Sequence, residues 1–154
     1  MLLAIFKQFQ SKNFAKLLVI QYLLNVMSKT LGIIGGGQLG MMLTEAAQNL
    51  GDISKIIVLD PTENCPAAKV GAQQIIADFK DEDAIKKLSE LSDIITYEIE
   101  SGNSDVLKKL EENTEINPSP DTLRIIQDKL LQKQFLQKMV LRSQNLKKLK
   151  IKKN

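Results

Sequence analysis

The chain has 154 residues, 44% of them hydrophobic and 25% charged, which fits one globular domain with tails. It has no histidine and one cysteine, Cys65, which excludes an intrachain disulfide, Ser-His and Cys-His dyads and nearly all zinc chemistry. The net charge of +3 belongs to the ends: setting aside ten lysines and arginines in residues 1–26 and 138–154, where no acid occurs, 11 bases face all 18 acids, so residues 27–137 carry −7 and make a poor nucleic-acid binder.

Residues 1–26 form a basic, apolar, loosely amphipathic run. The uncharged stretch over 17–26 is shorter than the roughly 20 residues a membrane-spanning helix needs. It lacks a small-residue cleavage site where a signal peptide would carry one. A presequence or membrane-surface helix is one reading. The favoured one takes Met27 as the natural start and 1–26 as a non-native extension, because MSKTLGIIGGG runs straight into a first strand. No membrane partner is expected, and the single thiol fits the cytoplasm.

From residue 27 onward, β-branched runs alternate with helical periodicity, the signature of βαβ units and a parallel α/β sheet with helices on both faces. A strand is expected over 30–35 and a helix over 38–50, closed by Gly51. A second strand over 55–60 stops at Asp60 and Pro61. A short helix near 67–70 and a strand over 74–77 follow, then a helix from Asp81 with Ala84, Ile85, Leu88 and Leu91 on its apolar face. A strand over 93–97, a helix over 105–112 and a short strand at 115–116 precede Pro118 and Pro120. One last helix is expected over 121–138. The domain is thus drawn over 27–120, with a linker helix over 121–138 and a basic tail over 139–154.

The segment LGIIGGGQLGMML, residues 31–43, reads as strand, glycine turn and helix. Gly35, Gly37 and Gly40 have the spacing G-x-G-x-x-G, and a turn of this kind presents backbone N–H groups and a helix dipole to an anion. In an open parallel sheet, ligands bind beyond the carboxyl ends of the strands. Asp60 falls there, and so do Tyr97, Glu98 and Glu100. A glycine loop facing carboxylates suits a phosphorylated ligand that bears hydroxyls or amines. Asp60 next to proline is read first as a turn former, Cys65 as inert loop packing, and Met41 and Met42 as helix interior.

Four segments are more specific in their wording: GIIGGGQLGMML at 32–43, VLDPTENCPAA at 58–68, TYEIE at 96–100 and PSPDTLRIIQDKLLQKQFL at 118–136. In this order and spacing, residues 27–138 closely resemble the N-terminal domain of 5-(carboxyamino)imidazole ribonucleotide synthases, ATP-grasp enzymes of purine biosynthesis. The resemblance implies a Rossmann-like pre-ATP-grasp fold and a carbon–nitrogen ligase. The family uses ATP with magnesium to activate bicarbonate as carboxyphosphate, carboxylates the amine of 5-aminoimidazole ribonucleotide, and is commonly dimeric. It further implies that Gly36, Gly37, Gln38 and Leu39 lie against the ribonucleotide phosphate, and that Tyr97, Glu98 and Glu100 face the ribose or aminoimidazole. Lys129 matches a basic position that reaches the nucleotide. No catalytic residue and no metal ligand is assigned.

After Lys138 the family pattern, Asn-Gly-Ile-x-Val-Pro-x-Phe, gives way to MVLRSQNLKKLKIKKN. A one-base shift across residues 138–140 restores Asn or Asp followed by Gly, so a frameshift there is expected. The fragment alone is then expected to be inactive. The alternatives are an NAD(P)-binding Rossmann module, with Asp60 as the acidic partner of the glycines, and a noncatalytic remnant.

Overall fold

The computed structural model describes residues 28–139, together with Lys16. The expectations placed on 1–26 and 140–154 otherwise lie outside the described residues. Five strands run β1 Lys29–Ile34, β2 Ile53–Leu59, β3 Gln73–Ile75, β4 Ile94–Tyr97 and β5 Glu115–Ile116. Within residues 28–139 six helices accompany them: α1 Gln38–Gln48, α2 Pro66–Lys69, α3 Glu82–Glu90, α4 Ser104–Leu110, α5 Pro120–Gln127 and α6 Lys129–Lys138. The strands form one sheet in the order β3-β2-β1-β4-β5, every pairing parallel.

A parallel sheet covered on both faces requires strands that are apolar on both sides, and the central strands are. In β1, Ile33 faces a core with Ala47, Ile56, Val58, Cys65 and Ala67, on the side of α1 and α2. Its neighbour Ile34 faces the opposite core, with Ile57, Leu59, Ile85, Leu88, Ile95, Leu107 and Leu123. This second core is the larger and is closed by α3, α4 and α5. The strand order reverses direction at β1, so a crevice opens beyond the carboxyl ends of β1 and β4.

Side-chain caps set three of the six described helix starts. Asp81 accepts from the Ala84 amide at 2.9 Å and Asn103 from the Val106 amide at 3.2 Å, each satisfying one of the N–H groups that a helix start leaves free. A third cap corrects the expected helix over 121–138, which is two helices. Asp128 takes extended backbone angles, φ −105° and ψ 106°, and its carboxylate accepts from the amides of Leu130 and Leu131. It therefore ends α5 and starts α6, competing with the helix ladder by its own hydrogen bonds. Leu123 of α5 is wholly buried in the core, so 120–127 packs as part of the sheet's cover. In α1, Met42 is 56% exposed rather than interior, on a face shared with exposed Leu39 and Leu43.

Candidate functional site

The crevice begins with three glycines, each needed for a different reason. Gly35 adopts φ +105°, a conformation that glycine alone takes without penalty, and a Cβ there would stand 2.6 Å from Glu98 Oε1. Gly36 is turned inward: its N–H donates to Asp60 Oδ2 at 2.8 Å and its carbonyl accepts from the Ala67 amide at 3.0 Å. A Cβ on Gly36 would collide with Cys65 Sγ, which is 1% exposed beneath it. On Gly40 it would collide with the Gly35 carbonyl oxygen, which lets α1 pack directly on the turn. Both polar groups of Gly36, expected to lie against the ribonucleotide phosphate, are thus used inside the loop.

The donors that remain are at the start of α1. Gly37 is its N-cap, with no side-chain cap and no acidic residue in the first turn. The 11-residue helix therefore directs the N–H groups of its first turn, those of Gln38 and Leu39 among them, toward the crevice mouth, and both residues are exposed. A helix end left open in this way, with its partial positive charge, suits an anion.

On the β4 side, the Glu98 amide extends the ladder by donating to the Ile34 carbonyl at 3.1 Å, which carries its carboxylate up against Gly35 and Gly37. Burial raises the Glu98 pKa above the ordinary carboxylate value, and the charge of Asp60 raises it further, against a lowering by the Gly37 amide. Asp60, only 6% exposed, accepts from Gly36 on one oxygen and from the Thr62 amide at 2.8 Å on the other. Its carboxylate brackets the loop and is not offered to a ribose, as a dinucleotide fingerprint would require. Tyr97 is half-buried; its hydroxyl donates to the Ser119 carbonyl at 3.0 Å, so it braces β4 against the start of α5. Burial raises its pKa, partly offset by a backbone hydrogen bond from Leu123. Glu100 is exposed, with Lys129 Nζ 3.9 Å from its Oε2. Lys129 stands at the first position of α6 rather than inside a long helix.

The model of the ribonucleotide synthetase preATP-grasp domain matches residues 27–127. The chain belongs to this family. The N5-carboxyaminoimidazole ribonucleotide synthase of Staphylococcus epidermidis is 47% identical over 104 residues, 68% of this chain and 27% of that protein. The crystal structure of the Thermotoga maritima synthetase superposes with a TM-score of 0.67 at 50% identity, covering 71% of this chain and 30% of that one. The Aspergillus clavatus enzyme, solved in complex with ADP and 5-aminoimidazole ribonucleotide, gives 0.67 at 36% identity over 73% and 30%. The chain thus spans under a third of the length of these relatives.

Within this preATP-grasp domain the structure brings Gly37, Gln38, Leu39 and Glu98 to one crevice, with Glu100 and Lys129 at its edge. The polar groups of Gly36 are engaged within the loop and the Tyr97 hydroxyl is engaged on the Ser119 carbonyl. Asp60, read from sequence as a turn former, forms that turn through the Thr62 amide and also brackets the loop by accepting from Gly36; the signal for the second role was its place at the end of β2 beside β1. Among the described residues no three acidic or cysteine side chains gather as a metal site. No helix among them is long and apolar enough to cross a membrane.

Proposed function

We propose that residues 28–139 are the ribonucleotide-binding part of an ATP-dependent ligase that carboxylates 5-aminoimidazole ribonucleotide. The observation that carries this reading is the uncapped start of α1 facing the half-buried carboxylate of Glu98 across the β1–β4 crevice. The amides of Gln38 and Leu39 take the 5′-phosphate, with Gly37, whose own amide donates to Glu98, beside it. Glu98 accepts hydrogen bonds from ribose hydroxyls or the ligand amine, and Glu100 does the same from the rim. A carboxylate that burial and Asp60 have made reluctant to stay charged gains from such donors. Lys129, free to exchange Glu100 for a ligand oxygen, reaches toward the second nucleotide.

In the proposed reaction bicarbonate, activated as carboxyphosphate by ATP, receives attack from the ligand amine at its carboxyl carbon. A carbon–nitrogen bond forms, phosphate leaves and the amine gives up a proton. This domain contributes orientation of the amine; ATP and magnesium supply the activation when bound. The reading extends to a cytoplasmic, dimeric enzyme of purine biosynthesis with bicarbonate as the carboxyl donor.

Calorimetric titration of the chain with 5-aminoimidazole ribonucleotide, beside fluorescence titration with NADH, tests the reading. Saturable binding of the ribonucleotide and no response to NADH is the expected result. Tight NADH binding, or no heat with the ribonucleotide, overturns it.

A further inference from the structure

We infer that Gln127, to which no role in the site has been given, is a positioning residue that holds the carboxylate loop after β4 in its binding conformation. This rests on the ribonucleotide reading above and extends it to a residue outside the crevice. The loop between β4 and α4 carries Glu98 and Glu100, and its backbone lies beyond the sheet ladder. Its carbonyls at Glu100 and Gly102 converge on one side-chain amide, that of Gln127, whose Nε2 donates to them at 2.8 and 2.7 Å. Its Oε1 accepts from Ser104 Oγ at 3.2 Å. Both amide protons and the carbonyl oxygen are therefore used, all on residues 100–104.

The surroundings make this a clamp rather than a chance surface contact. Gln127 is the last residue of α5, whose Leu123 is locked in the core. Gly102 is buried at the same junction, where an added Cβ would lie 3.4 Å from Leu123 Cδ2. The next residues are Asp128, which starts α6, and Lys129, which faces Glu100. The fixed body of the sheet, the acidic loop and the start of α6 thus meet at one side chain. The chemistry demands an amide. A glutamate would set a carboxylate against two carbonyl oxygens, and a lysine would offer Ser104 no acceptor.

The test compares the full chain with Gln127→Leu and, as a milder change, Ser104→Ala. Two measurements are made: hydrogen exchange of backbone amides, and calorimetric titration with 5-aminoimidazole ribonucleotide. Gln127→Leu is expected to speed exchange over residues 99–105 by about tenfold while leaving 35–40 unchanged. It should also weaken ribonucleotide binding by about tenfold. Ser104→Ala should move both in the same direction by less, and it serves if Gln127→Leu fails to fold. Unchanged exchange over 99–105, or faster exchange with an unchanged Kd, overturns the inference. A wild-type chain that does not bind the ribonucleotide overturns the reading of the site instead, and the exchange measurement still decides the clamp.

Discussion

Asp60 and Glu98 stand at the carboxyl ends of the two strands that flank β1, and both carboxylates approach the same glycine loop, yet they are built for opposite purposes. Asp60 is buried and has an amide donor on each oxygen, from Gly36 and Thr62. Glu98 is half-buried, repelled by Asp60, and opposed by little beyond the Gly37 amide. A carboxylate with its hydrogen bonds satisfied by backbone stabilises the fold. One brought out of water without enough donors weakens it and keeps an unmet capacity for a ligand. The difference separates scaffold from site more sharply than residue type does.

The largest effect is expected from Asp60→Ala, which strands the buried Gly36 amide and removes two hydrogen bonds to a charged group. Denaturant unfolding should show a loss of about 3 kcal/mol; a loss well below 1 kcal/mol would mean the loop does not depend on this bracket. Gly35→Ala comes next, at about 1–2 kcal/mol from its left-handed backbone alone, with the Glu98 contact added to it. Combining it with Glu98→Ala should recover only the contact, so a double-mutant cycle reads the pressure of the carboxylate on the loop.

Glu98→Gln should act in the other direction. Because the folded-state pKa of Glu98 is raised, its charge costs stability above that pKa, and the cost disappears as pH falls through it. The variant is therefore expected to be more stable at pH 7, by about 0.5 kcal/mol after solvent screening, and to lose that advantage in acid. Thermal melts across pH would show the two curves converging as pH falls; parallel curves would contradict the assignment. The same variant should bind the ribonucleotide more weakly. Lys129→Ala is the smallest, at about 0.3 kcal/mol, since each partner of its 3.9 Å pair with Glu100 is two-thirds exposed. Its effect should appear in nucleotide binding, not in melting.

Much of the fold was legible because each element satisfies local and global demands together. Ile33 and Ile34 announce a strand covered on both faces, Asp81 announces the start of α3, and glycines between an apolar run and a helical period announce the turn. The break at Asp128 was missed because apolar positions continue through it in helical register, and a capping aspartate looks like any other surface acid. Met42 was misplaced for a related reason: periodicity finds an apolar face but does not say whether anything covers it. The crevice itself was half legible. The sequence placed Gly37 and Glu98 at neighbouring strand ends, but it could not tell which amides were already engaged.

By itself, the order of residues determined the parallel α/β architecture, the glycine turn at the first strand end and membership of the preATP-grasp family, since these follow from short-range periodicity and from wording that few families share. Only the tertiary structure decided that Asp60 is scaffold and Glu98 is available, that Gly36 faces inward, and that one glutamine gathers the loop after β4. Those outcomes depend on which donors meet which acceptors across residues such as 36 and 60, or 100 and 127. Such pairings form only when the sheet brings distant strand ends together.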